Sequence, residues 1–333
     1  MANMQDLDLI LRDKTEAAIL NSREKWKERK GRSQRNPGWG ITFLGTGGNP
    51  ESVIAQRPRT AGFLVEFGNL FMYVDPGPGA LQGVLEARVD LGNLDAVYIS
   101  HGHVDHYAGA ESIIEGMCWA MSTRRGLLMG PKNIFEVEHS ISRFHQGETE
   151  KYGYMGGPEV VHLEAGKTLT IKDVQLTPVR AYHGGENYGF ILEAGGLRLG
   201  YTGDTNYILA YSTPEGIQEV KRFGPIMDFQ QVERYREDIR EAFSQVDVLI
   251  ANITSHNSWV HRHITGLGLA HLLQNSQVKL CYLSHFNYCC VEPEDIRFKM
   301  AEYVEGMTGI PTRAAQDMEH LDLTAYLTKA GDE

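Results

Sequence analysis

What this chain lacks narrows its nature quickly. No apolar run approaches the ~20 residues that a membrane-spanning helix requires, so no membrane association is expected. Cysteine is scarce, with four among 333 residues: Cys118, Cys281, Cys289 and Cys290. None forms a C-x-x-C pair, and the adjacent Cys289 and Cys290 do not make a zinc clip. No secretory signal precedes them, and the polar N-terminus, with its early acids, does not read as a targeting peptide. Reduced thiols in a cytoplasmic protein are therefore expected. Positive charge is the minority sign: Lys+Arg number 32 against 43 Asp+Glu, a formal net charge of −11. That balance disfavours nonspecific binding of polyanions, although a local basic patch is compatible with it. There is no repeat of fixed short period and no low-complexity tract. Gly45-Thr46-Gly47-Gly48 lacks the G-x-G-x-x-G spacing of a dinucleotide fingerprint. What remains is a chain, 42% apolar, long enough for one large core or two smaller ones.

Residues 1–38 read as an N-terminal helical and basic extension. Leu7, Ile10, Leu11, Ala18 and Ile19 recur at roughly helical spacing. A basic stretch from Arg23 to Arg35, with Trp26 inside it, reads as a solvated helix face and linker; the alternative is an arm for nucleic acid or a protein partner. Pro37-Gly38 ends it. Residues 39–333 then form one domain. Apolar runs at 41–44, 63–67, 70–74, 95–99, 168–171, 174–180, 188–194, 197–202, 246–250 and 279–284 predict strands, with a hairpin at Gly68-Asn69. Helices are predicted at 79–89, from about Gly109, at 266–274 and at 293–305. The charged stretch 205–245, including Gln231-Val232-Glu233-Arg234-Tyr235-Arg236-Glu237-Asp238, reads as a helical insertion. Strand-rich halves with helices between and outside them suggest a layered α/β domain.

The run His101-Gly102-His103-Val104-Asp105-His106 packs three imidazoles and a carboxylate into six residues, directly after the apolar Ala96-Val97-Tyr98-Ile99. Neutral imidazole and carboxylate are ligands for zinc, manganese or iron, and a strand followed by a tight turn aims such side chains at one point. Three further ligand types stand just past apolar strands: His183, Asp204 and His285.

This arrangement resembles the metallo-β-lactamase superfamily over about residues 40–327. The resemblance rests on the H-x-H-x-D-H run, then His183, Gly203-Asp204-Thr205 and His285, and on Arg313-Ala314-Ala315-Gln316-Asp317, which resembles that superfamily's closing strand. It implies an αββα four-layer sandwich with two divalent metal ions at one edge. His101, His103 and His183 would hold the first, Asp105, His106 and His285 the second, and Asp204 would bridge both. Phe43-Leu44-Gly45-Thr46-Gly47-Gly48 with Pro50, and His263-Ile264-Thr265 upstream of Leu283-Ser284-His285-Phe286, are most similar to the ribonuclease Z and phosphodiesterase branch. In that branch a histidine assists the leaving group. By position it is His263, with His261 and His256 as competitors. A homodimer is also implied. The glycine- and proline-rich arm by which ribonuclease Z enzymes grip tRNA is not found here.

Two metals ~3.5–4 Å apart bridge a water, lower its pKa towards neutrality and polarise the electrophile. Asp105 would orient the resulting hydroxide, and His263 would act as general acid. Asp75, in the stiff turn Asp75-Pro76-Gly77-Pro78-Gly79, reads as orienting a ligand histidine rather than binding metal. The leading expectation is a phosphodiesterase acting on a small or cyclic nucleotide or an RNA 3′ end. The alternative on the same centre is a hydrolase of a lactone, thioester or amide. A non-hydrolytic di-iron protein is disfavoured by His103, where such proteins of this superfamily usually carry a carboxylate. A catalytically silent RNA-binding member is disfavoured by the intact ligand set.

Overall fold

A computed structural model describes residues 3–31, 36–221, 224–257 and 262–327. The chain divides into two compact units, Met1–Asn36 and Pro37–Glu333. The described part of the first carries one long helix, α1 (Met4–Gly31), as the apolar spacing predicts. Part of the basic stretch, residues 32–35, lies outside the described residues.

In the second unit the described residues form two seven-stranded sheets and one of three strands. The first large sheet begins with β1 (Gly38–Phe43), β2 (Phe63–Gly68), β3 (Leu70–Val74), β4 (Ala96–Tyr98), β5 (Arg124–Gly130) and β6 (Gly157–His162). The second contains β7 (Leu169–Ile171), β8 (Val174–Arg180), β9 (Tyr188–Ala194) and β10 (Leu197–Tyr201). The chain then makes the small sheet, β11 (Ile208–Thr213), β12 (Gly216–Glu219) and β13 (Gln231–Tyr235). It returns to the second sheet for β14 (Val248–Asn252), β15 (Leu280–Ser284) and β16 (Thr312–Ala314), and closes the first with β17 (His320–Asp322). The spatial orders are β17-β1-β2-β3-β4-β5-β6 and β16-β15-β14-β10-β9-β8-β7.

Alternation along the strands explains the layering. In β3, Leu70, Met72 and Val74 point into the core between the large sheets, while Phe71 and Tyr73 point to the outer face. In β15, Leu280 and Tyr282 face the same inner core, and Cys281 and Leu283 the outer one. Strands buried on both faces read as continuous apolar runs, and each outer face needs helices over it. The first sheet is covered by α3 (Ala80–Glu86), α5 (Ala110–Met117) and α6 (Lys132–Glu136), which contribute Val84, Ile113 and Phe135. The second is covered by α7 (Glu237–Phe243), α8 (Gly266–Leu273) and α9 (Arg297–Thr308), through Phe243, Leu269 and Val304. The result is the expected αββα sandwich. Short helices α2 (Asn49–Ala55) and α4 (Val104–Tyr107) sit at its edge.

The insertion differs from expectation. Residues 205–245 are not a helical insertion but carry a three-stranded antiparallel sheet, β12-β11-β13, followed only at its end by α7. Thr213-Pro214-Glu215-Gly216 makes the turn: the Thr213 hydroxyl donates to the Gly216 carbonyl at 3.0 Å and accepts from the Glu215 N–H at 3.3 Å. The charged residues of β13 are solvated strand positions rather than a helix face. Strands β5 and β6 are also absent from the sequence reading. Arg124-Arg125 begin β5 and Pro158-Glu159 lie in the edge strand β6, and these polar residues interrupt the apolar runs.

Candidate metal centre

Strand direction creates the site. β1 and β3 to β6 run one way in the first sheet, and β8, β10, β14, β15 and β16 run together in the second. Their carboxyl ends meet at one edge, where the loops carry the chemistry. Asp75 follows β3, His101 and His103 follow β4, and Asp105 and His106 stand on α4. His183 follows β8, Asp204 follows β10, Asn252 ends β14, and His285 follows β15.

All the expected metal-ligating side chains converge there, in overlapping groups: His101, His103 and His183; His101, His106 and Asp204; Asp105, His106 and His285; His183, Asp204 and His263. The Nε2 atoms of His101 and His183 lie 2.9 and 3.0 Å from Nδ1 of His103. His285 Nε2 is 3.1 Å from both Asp105 Oδ2 and His106 Nε2. Asp204 Oδ2 stands at the centre, 3.3 Å from His106 and His285, 3.6 Å from His183 and 3.9 Å from His101.

The outward ring nitrogens of His101, His106 and His183 are tied down, which fixes their inward ones. His106 Nδ1–H donates to Asp75 Oδ2 at 2.9 Å, and His183 Nδ1–H to the Arg262 carbonyl at 3.0 Å. His101 Nδ1 lies 3.0 Å from the Ser100 hydroxyl, which donates to Asp75 at 2.8 Å. Asp75 also accepts the Ser100 N–H at 2.7 Å and the Tyr201 hydroxyl at 2.6 Å. It therefore holds a ligand-type histidine from behind, the role its stiff turn suggests. With Nδ1 protonated, Nε2 of a neutral ring presents a bare lone pair to the centre. Facing lone pairs at about 3 Å repel one another unless a cation stands between them, so the donor set fits divalent metal. The surrounding backbone fits too: a Cβ on Gly48 would overlap the His285 ring, and His285 itself adopts the left-handed region at φ 64°.

Electrostatics reinforce this. Burial holds His101, His103 and His183 below the usual imidazole range, so they are neutral donors at pH 7. His106 goes the other way: burial pulls it down, but Asp105, Asp204 and Asp75 together raise it well above its ordinary value. Burial pushes Asp204 up, but the surrounding imidazoles of His285, His106 and His263 override it and hold the carboxyl well below its ordinary range.

Of the leaving-group candidates, His263 lines the cleft over the centre, buried, with Nδ1 3.7 Å from Asp204 Oδ2 and no hydrogen-bond partner among the described residues. His256 packs edge-on against Tyr303, ring centroids 4.6 Å apart, and does not line that cleft. His261 lies outside the described residues. Sequence reasoning misses several supporting groups. The Asn252 side chain donates to Asp204 Oδ1 at 2.8 Å and to the Tyr201 hydroxyl at 2.9 Å. The Asn49 N–H donates to Asp105 Oδ2 at 2.9 Å. Backbone donors leave no mark in a sequence; Asn252, closing the buried run Val248–Asn252, is the one signal available.

Comparison with known proteins matches this frame. Residues 72–223 fit the family described as "Beta-lactamase superfamily domain". Across 293 residues the chain is 29% identical to a protein of Methanocaldococcus jannaschii named "Uncharacterized protein MJ1374", covering 85% of this chain and 95% of that one. A ribonuclease Z of Thermococcus sibiricus is 28% identical over 155 residues, so the chain spans about half its length: 46% of this chain and 47% of that protein are covered. Among solved structures, the metallo-β-lactamase fold protein YhfI of Bacillus subtilis superposes with a TM-score of 0.60 at 17% identity, over 85% of this chain and 98% of that one. The chain has the metallo-β-lactamase fold, and over part of its length its sequence is similar to ribonuclease Z proteins. Fold, family match and donor set make this metallo-β-lactamase-fold protein a metal-dependent hydrolase. The family match spans His101 to Asp204 but stops short of His263 and His285, which the fold itself brings to the centre. None of its described helices is long and apolar enough to cross a membrane.

Proposed function

We propose that this hydrolase is a phosphodiesterase with a dinuclear centre. His101, His103 and His183 hold one divalent cation, Asp105, His106 and His285 hold the other, and Asp204 is shared. Zinc suits the imidazole-rich donors best, with manganese or iron as alternatives. When bound, such a pair makes a water nucleophilic near neutral pH and neutralises charge developing on the phosphoryl oxygens. The observation that carries the reading is the single carboxylate oxygen of Asp204 within 3.3 to 3.9 Å of imidazoles from both triads, with His263 beside it.

The protein's own groups supply the rest. Asp105 keeps an acceptor at the second triad from which an attacking water is oriented. The Asn49 N–H and Asn252 amide fix the two carboxylates so that their free lone pairs face inward. His263, unpartnered at Nδ1, provides the donor that an alkoxide leaving group needs. The ribonuclease Z likeness and the charge-dense centre support a phosphodiester, and the cleft of about 440 Å³ supports a small or cyclic nucleotide over a folded RNA.

The test is hydrolysis of bis(p-nitrophenyl) phosphate by metal-loaded protein. Turnover that disappears in Asp204→Ala supports the reading. Full metal binding with no cleavage of any phosphodiester, but with cleavage of lactones or thioesters, overturns it. His263→Ala is judged on an alkyl leaving group, because nitrophenolate departs without a proton.

A further inference from the structure

The cleft over the centre has two unlike walls. One is aliphatic. Pro50, Val53 and Ile54 stand on α2 at spacing i, i+3, i+4, one face of the helix, and Val104 of the adjacent α4 continues the stripe. Ile54 is 86% exposed and Val104 48% exposed, although both border a site crowded with charge. The other wall is formed by Arg262, His263 and His183, and Arg262 is the only permanent cation among the described residues lining the cleft.

The aliphatic lip is firmly placed. The Ser52 hydroxyl donates to the Phe286 carbonyl at 3.1 Å, and the Gly48 N–H donates to the same carbonyl at 3.0 Å. Phe286 directly follows His285, and the Asn49 N–H holds Asp105, so the lip is tied to the second triad on both sides. An occupant of this cleft must therefore be anionic at the centre and flat or apolar on the α2 side, and a cleft of about 440 Å³ limits its size.

Resting on the phosphodiesterase reading, we propose that the substrate's retained half, the half that stays on phosphorus, is a nucleoside whose base lies on the Pro50–Val53–Ile54–Val104 lip. A nucleobase offers an apolar face of the right extent, and the sugar spans from that lip to a phosphoryl group at the centre.

Three esters with one leaving group isolate this half: thymidine 5′-(p-nitrophenyl phosphate), methyl p-nitrophenyl phosphate and octyl p-nitrophenyl phosphate. The metal-loaded, full-length protein should favour the thymidine ester over the methyl ester at least tenfold in kcat/KM, chiefly through KM. Ile54→Ser should reduce that ratio to below threefold, and Ile54→Leu should restore it. An octyl ester used as well as the thymidine ester overturns the proposal, as does a ratio unchanged by Ile54→Ser. Calorimetric binding of thymidine 5′-monophosphate against methyl phosphate gives a reading independent of turnover. Tenfold tighter binding of the nucleotide, lost in Ile54→Ser, supports the lip assignment even where no ester is cleaved and only the phosphodiesterase reading falls. Equal binding of the two overturns it.

Discussion

Individual residues divide here into those that face the centre and those that hold them. Asp75 is the clearest of the second kind: it accepts from His106, the Ser100 N–H and hydroxyl, and Tyr201, and stands behind two imidazoles at once. Groups in that position typically change metal affinity by about 10–100-fold when altered. Asp75→Asn is therefore expected to weaken metal binding by that factor while the fold persists; calorimetric titration of the apo-protein checks it, and unaltered affinity would contradict the assigned role. The cysteines separate as sharply. Burial pushes Cys118 up to about 12, whereas the hydrogen bond from Cys290 pulls exposed Cys289 down to about 7. The thiolate is the nucleophile, so alkylation of the native protein should concentrate on Cys289 and rise steeply as pH passes through about 7. Mass-spectrometric mapping after iodoacetamide at pH 6 and pH 8 reads this directly, and equal labelling of Cys118 and Cys289 would refute it.

At the scale of elements, the loops matter more than the strands they join. Gly48 lies between β1 and α2 where the backbone passes against the His285 ring, and any Cβ would overlap that ring. Gly48→Ala should displace His285, lower metal content at the second triad and reduce phosphodiester hydrolysis at least tenfold. Metal analysis beside kinetics distinguishes this from general unfolding, which would empty both triads. The same scale shows why some features are legible in sequence and others are not. Val97, Ile250 and Leu283 lie in strands buried on both faces, so their neighbours are apolar too and the runs stand out. The donors His101 to His106, His183, Asp204 and His285 are legible because each follows such a run directly. Strand β13 is not, because its solvated positions carry Glu233 and Arg234, residue types equally at home on a helix. Register and pairing decided that segment, with Ile208 opposite Tyr235 and Tyr211 opposite Val232. His263 is legible only as a candidate beside His256 and His261. Its distinction comes from the bridge between Ile253 and Ile264, a contact between chain segments that no local pattern encodes.

At the scale of the whole molecule, the sandwich gathers a dense set of metal-type donors at one edge. Three carboxylates, Asp75, Asp105 and Asp204, are buried or nearly so around imidazoles whose inward nitrogens face one another. Inward-facing donors of this kind are tolerated in the folded chain and relieved by cations, so metal bound to the native state alone should add stability. At a free metal concentration of about 100 times Kd, each independent site contributes roughly 2.7 kcal/mol. For a domain of this size, about 2–4 °C of Tm accompanies each kcal/mol. Chelation followed by dialysis should therefore lower Tm by on the order of 10 °C, and stepwise re-addition should recover it in two increments if the two triads load separately. Asp204 couples the triads through its shared oxygen, so Asp204→Asn should collapse those increments towards one smaller step. A Tm indifferent to chelation, in protein that metal analysis shows to have been fully loaded, would mean that the unfolded chain binds the cations as well as the fold does, and that the convergence of donors at the sheet edges contributes nothing to affinity.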